Sequence, residues 1–199
     1  MEDQTTDHTD TLTTAAFDAA TVRALEQPLL ADEVPLMRMA ANATARTILD
    51  VIDQEEWDEP SLRVCVLAGA GDNGGDGLYT GAILAAEGLN VTAIAVGRTL
   101  HDAAYEAFLD AGGHIYALDP SNDIPGCPSG FPAGEAGQRL EHAIAFAGTA
   151  HILIDAMPGI GLILSKLAHV PVQPIRIEGA YDCLPVHSSK LKFKPITLS

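Results

Sequence analysis

Nine consecutive residues, Gly69-Ala70-Gly71-Asp72-Asn73-Gly74-Gly75-Asp76-Gly77, combine five glycines with two carboxylates and an amide. Such a segment can bring backbone close to a ligand, move protons or hold a cation with hard oxygen donors. Gly69, Gly71 and Gly74 reproduce the G-x-G-x-x-G spacing of dinucleotide sites, and an apolar run precedes them. Two features argue against a plain site of that type. The second apolar run ends in Gly97-Arg98, where such sites carry an acid for the ribose. Asp72 and Asp76 also stand where a pyrophosphate would bind. At 5 Å and an effective dielectric of 20, each carboxylate repels a unit negative charge by roughly 3 kcal/mol. No Lys-Ser or Lys-Thr follows the glycines, so a P-loop is excluded. The acids make sense with compensation, either a cation held by Asn73 and backbone carbonyls or sugar hydroxyls that donate to them. The plainer alternative is a glycine turn whose aspartates cap a helix starting at Leu78.

A second acid, Asp155, follows the apolar run His151–Ile154 and leads into Ala156-Met157-Pro158-Gly159-Ile160-Gly161. In a doubly wound sheet the first and fourth strands commonly meet at the switch point, where ligands bind. That topology predicts Asp155 beside Asn73 and Asp76, with Gly159–Gly161 as a second backbone cradle. Other reactive residues lack a pattern. The seven histidines show no metal-ligand spacing, and Ser121, Ser129 and Ser165 lack a nucleophile elbow. Met37 and Met39 read as core filling, and Trp57 as a partly exposed side chain after an acidic helix end.

The elements that must position these residues alternate. A helix capped at Thr13 or Thr14, with Phe17, Ala20, Ala24 and Leu25 on one face, is expected to end before Pro28. A longer one carries Leu36, Met39, Ala40, Ala43, Ile48, Val51 and Ile52 at helical spacing. Strands are predicted at 62–68, 91–96, 114–118 and 151–154, with helices at 78–87, 101–111 and 138–147 between them. Gly69–Gly77 and the Pro/Gly-rich stretch 119–134 read as loops. The expected fold is a three-layer α/β/α, Rossmann-like unit with a mostly parallel sheet and two leading helices. Val64, Val66, Leu67, Ile94, Val96, Ile152 and Ile154 are its predicted core.

With 199 residues, 47% hydrophobic and 19% charged, the chain is long and apolar enough to bury a core. No apolar run reaches the roughly 18 residues of a membrane span. A net charge of −16 disfavours nucleic acid and anionic membranes as partners. Cys65, Cys127 and Cys183 form no disulfide framework, which points to a reducing cytoplasm.

The glycine loop resembles the N-N-G-G-D-G loop of the YjeF N-terminal domain, the NAD(P)H-hydrate epimerases, with Asp72 in place of the first Asn. Leu36-Met37-Arg38-Met39-Ala40-Ala41-Asn42-Ala43 is similar to that family's L-M-x-x-A-G-x-A segment, and Asp155–Gly161 to its D-A-x-x-G-x-G segment. The resemblance covers about residues 13–162. It implies an isomerase in nicotinamide-cofactor repair that interconverts the R and S hydrates of NADH and NADPH, so that an ADP- or ATP-dependent dehydratase can restore the cofactor. By the same resemblance, Asp72, Asn73, Gly74, Gly75, Asp76, Gly159, Ile160 and Gly161 contact substrate, Asn73 and Asp155 hold a potassium ion, and the chain forms a homodimer. Inverting a hydroxyl-bearing carbon beside the ring nitrogen requires proton transfer, with loss of the hydroxyl or ring opening, and Asp76 is a candidate acid/base. The competing readings are a nucleotide-binding or protein-interaction module without turnover and, third, a Rossmann oxidoreductase.

One family segment has no counterpart. The D-x-P-S-G-like text is missing, and Pro174–Gly179, the nearest strand-like stretch, lacks both its Asp and its Ser. Residues 1–161 hold six arginines, no lysine and 25 of the 27 acids, a net of −19, whereas 162–199 carry five cations against two acids. The expected division is a disordered tail at 1–12, the α/β domain at 13–161 and an incomplete or divergent C-terminal segment at 162–199. A reading-frame change or truncation would account for that segment and would leave the sheet without its fifth strand. The alternative is a divergent terminus that completes the sheet through Ile175–Ile177.

Overall fold

In the computed structural model, which describes residues 19–57, 61–119, 124 and 136–157, the apolar runs become parallel strands. The elements are α1 (Ala19–Ala31), α2 (Leu36–Gln54), β1 (Arg63–Ala68), α3 (Gly71–Ala86), β2 (Asn90–Ala95), α4 (Asp102–Asp110), β3 (His114–Ala117), α5 (Ala136–Ala147) and β4 (Ile152–Ala156). Among the described residues the sheet has four strands in the order β3-β2-β1-β4. All three pairings are parallel. β1 is central and buried after its first residue, because helices cover both of its faces. The chain crosses from β3 to the far side of β1, which places a switch point at the carboxyl ends of β1 and β4.

Side-chain alternation splits the core in two. Val64, Val66, Ala68, Val91, Ala93, Ala95 and Ile115 face α3 and α4, where Leu78, Leu84 and Phe108 are fully buried. Cys65, Leu67 and Ile94 face the other way, against Ala143 and Phe146 of α5. α2 lies outside α3 and contributes Ala41, Ala45, Ile48 and Ile52 to the first core. The three layers are therefore present.

Several expectations need correction. The first helix runs through Pro28 to Ala31. Pro28 removes one donor and crowds the carbonyl four residues before it, yet the helix continues to Ala31, and Asp32 N–H just beyond it donates to the Pro28 carbonyl at 3.1 Å. Val51 lies on the outer side of α2 and is exposed. Val96 is 37% exposed, because it follows the last residue of β2 at the rim of the sheet. Ile152 and Ile154 are only half-buried, since β4 is the outermost strand described. No helix among the described residues is long and apolar enough to cross a membrane. The proposed boundaries at 12 and 161, the Gly159–Gly161 turn, Phe17 and the segment 162–199 lie outside the described residues.

Candidate active site

The largest correction concerns the glycine segment. Only Gly69 and Ala70 form a turn; α3 begins at Gly71, so Asp72 to Gly77 form its first two turns. Four of the segment's five glycines lie in α3 and oppose it by roughly 1 kcal/mol each where they are interior, and tertiary contacts override that preference. A Cβ at Gly74 would run into the Gly69 carbonyl, and one at Gly77 into Ala156 and Val66. The missing side chains let α3 lie directly on β1 and β4. Gly71 turns the chain into the helix with φ +73°, a conformation that disfavours side chains. Ala70, at the N-cap, is extended and provides no side-chain cap for the backbone donors of the first turn. The aspartates therefore do not cap a helix at Leu78.

Asp76 sits four residues after Asp72, on the same side of α3. Its Oδ1 is fully enclosed and has no hydrogen-bond partner among the described residues. Burial is the main cause that pushes its carboxyl up to about 6, and the Asp72 carboxylate adds to it. His101 acts in the opposite sense and Glu26 in the same one. Such a carboxyl exchanges its proton near neutral pH, as acid–base catalysis requires.

The surroundings of Asp76 contain residues for which the sequence offered little signal. His101 caps α4, its Nδ1 accepting from Ala104 N–H at 3.2 Å. Histidine is an uncommon cap, so nothing in the sequence marked it. Its ring lies 6.1 Å from that of Tyr79, and the Arg38 guanidinium stands 5.0 Å over the Tyr79 ring. Met37 packs on the core beside Gly75, which agrees with a filling role.

Asp155 is the fourth residue of β4 rather than a residue beyond it, and it pairs in register with Leu67 of β1. Gly69 N–H donates to the Ala156 carbonyl at 3.1 Å, so the glycine turn and the Asp155 strand are joined directly. Asn73, in the first turn of α3, belongs to the same carboxyl end of the sheet. Asp155 shares the side of the sheet occupied by Leu67, opposite the side covered by α3. Asp155 and Asp76 thus both stand at the carboxyl end of β1, on its two flanks. Asp155 Oδ1 accepts from Met157 N–H at 3.1 Å. No group of three or more His, Cys, Asp or Glu side chains that could hold a metal occurs among the described residues. Gly159, Ile160 and Gly161 are outside those residues.

The family model described as YjeF-related protein N-terminus matches residues 33–170. An NAD(P)H-hydrate epimerase of Microbacterium testaceum is 40% identical over 116 residues, 58% of this chain and 43% of the relative. One of Clavibacter sepedonicus is 34% identical over 149 residues, 75% of this chain and 54% of the relative. A bifunctional NAD(P)H-hydrate repair enzyme Nnr of Mycobacterium tuberculosis is 30% identical over 182 residues, 86% of this chain and 38% of the relative. The chain spans about half the length, or less, of these curated relatives.

Proposed function

The chain belongs to the family of YjeF-related protein N-termini, and on that premise we propose that it is an isomerase interconverting the R and S hydrates of NADH and NADPH. The observation that carries the chemistry is Asp76: a carboxyl held near pH 6, with one oxygen enclosed and unpartnered among the described residues, at the switch point of a parallel sheet.

In the proposed reaction, protonated Asp76 gives its proton to the hydroxyl on the hydrated ring carbon. The carbon–oxygen bond breaks, water leaves, and the adjacent ring nitrogen donates its lone pair to form an iminium. Water then adds to the opposite face of that carbon, and the Asp76 carboxylate recovers a proton. Atoms and charge balance, and no oxidant is needed. The enclosed position of Asp76 favours its neutral form, which is the form that must act first.

Asn73 and Asp155 are the proposed ligands of a potassium ion. One carboxylate and one amide, completed by backbone carbonyls, suit a singly charged ion better than a divalent one, which gathers several carboxylates. The Asp155 oxygen that does not accept from Met157 is left to such an ion. When bound, the cation would offset the acids beside the substrate phosphates. The S hydrate would pass to a dehydratase, consistent with the bifunctional name of the mycobacterial relative.

The test is to follow conversion of R hydrate to S hydrate by NMR with the purified chain, using Asp76→Ala as control. Conversion by the intact chain alone supports the proposal. Nucleotide binding without conversion would instead favour a module that binds but does not turn over its ligand.

A further inference from the structure

Arg98 follows the end of β2 beside the glycine turn. β2 leaves the sheet across the end of β1: Val96 and Gly97 N–H groups both donate to the Ala68 carbonyl, at 2.9 and 3.3 Å. Gly97 is seated so tightly on the glycine turn that a Cβ there would fall 2.7 Å from the Ala70 nitrogen and 3.0 Å from the Gly69 carbonyl carbon. Arg98 is therefore anchored beside the turn that opens α3. It is exposed, and it makes no hydrogen bond or ion pair among the described residues.

Its charge is isolated. Arg98 is the only arginine or lysine between Arg63 and Arg139 in a chain of net charge −16. Arg63 lies at the opposite end of β1, where its guanidinium is engaged by the Thr149 carbonyl. A guanidinium without a partner among the described residues, in so acidic a chain, is a strong place for a phosphate, which it can grip through two parallel N–H donors. In parallel sheets of this strand order, the end of the second strand faces the ribose of a nucleotide lying across the glycine turn. The missing acid at Gly97-Arg98 argues against a site that reads a free 2′-hydroxyl, whereas an arginine there accommodates a 2′-phosphate. The two hydrates differ only in that group. Repulsion of the pyrophosphate by Asp72 and Asp76 is common to both and cannot discriminate.

We infer that Arg98 binds the 2′-phosphate of hydrated NADPH and makes the phosphorylated hydrate the preferred substrate. The inference rests on the epimerase reading above. Its test compares kcat/KM for the two hydrates in the intact chain and in Arg98→Ala, Arg98→Lys and Arg98→Glu. The expected ratio favours hydrated NADPH by about tenfold or more, falls near one in Arg98→Ala, is intermediate in Arg98→Lys and drops below one in Arg98→Glu. A second measurement needs no turnover. Calorimetric titration with adenosine 2′,5′-bisphosphate should show binding about tenfold tighter than with AMP, a difference lost in Arg98→Ala. Equal kcat/KM for both hydrates, or a preference that survives Arg98→Ala, overturns the role of Arg98 and leaves the epimerase reading standing. Absence of turnover with either hydrate overturns the epimerase reading. The bisphosphate titration then decides alone, since equal affinity for the two nucleotides overturns the inference.

Discussion

The two ends of the sheet are built from the same strands, yet they treat polar groups in opposite ways. At the amino end, Arg63 Nε and Nη2 donate to the Thr149 carbonyl at 2.9 and 2.6 Å. Arg63 N–H donates to His151 Nδ1 at 3.1 Å, and His151 N–H returns to the Arg63 carbonyl at 2.9 Å. A cavity of about 330 Å³ opens there, lined by Cys65, Asn90, Thr92, His114 and Tyr116 among others. Burial pushes the Cys65 thiol up to about 11, so it is no nucleophile at neutral pH. At the carboxyl end stand a helix start without a side-chain cap, an enclosed oxygen without a partner among the described residues and a carboxyl displaced upward. A cavity marks the amino end, and unsatisfied chemistry marks the carboxyl end. The second is the better mark of function, because a folded chain holds an enclosed carboxyl oxygen without a partner among the described residues at a cost that packing alone does not explain.

The contrast can be broken most severely at Gly74. In Gly74→Ala the new methyl would collide with the Gly69 carbonyl, a backbone atom that cannot swing aside. The expected loss is about 3 kcal/mol or more of stability, read from urea unfolding midpoints. Next comes Asp76→Asn, which should lower kcat about 100-fold or more while the chain stays folded. The same carboxyl sets a pH test. If it acts as the acid, kcat/KM falls as pH rises through about 6.

Its stability effect has a definite sign. The native carboxyl binds its proton more tightly than the unfolded one, with pKa raised from 3.8 to about 6. Native protein therefore holds more protons in that window, and stability declines as pH rises through it. Asp76→Asn should remove this decline and be more stable than the parent at pH 7.5, by about 1 kcal/mol after discounting for solvent screening. The two should converge near pH 4 in thermal melts. Asp155→Asn probes the other flank of β1. The potassium concentration for half-maximal activity is expected to rise about tenfold, and no change would remove Asp155 from the cation site. The smallest effect belongs to the amino end: Arg63→Ala should cost about 1 kcal/mol of stability with turnover within about twofold. A larger loss of turnover would erase the distinction between the ends.

Strand positions were legible because β-branched apolar runs stopped by glycine have few other uses, and all four described strands fall within a residue or two of expectation. The neighbouring of β1 and β4 followed from topology rules. The start of α3 did not follow. Glycine density at 69–77 is a loop signal locally, and only the contacts of Gly74 with Gly69 and of Gly77 with Ala156 reveal it as a close-packing signal. His101 and Glu26 were missed as neighbours of Asp76 because they lie 25 and 50 residues away in the chain, without a spacing that betrays the contact.

The residue order by itself determined the alternation of strand and helix, the parallel sheet, and the types of group gathered at its carboxyl end. Those depend on local periodicity and on which residues interrupt it, and both are written along the chain. Tertiary structure alone decided that Asp72 to Gly77 are helical, that one Asp76 oxygen is enclosed while Asp155 lies on the other side of the sheet, and that Arg98 stands beside the glycine turn without a partner among the described residues. The reason is physical: conformation at a glycine, proton affinity at a carboxyl and the availability of a guanidinium are set by what surrounds each group. Those surroundings come from distant parts of the chain brought into contact by folding.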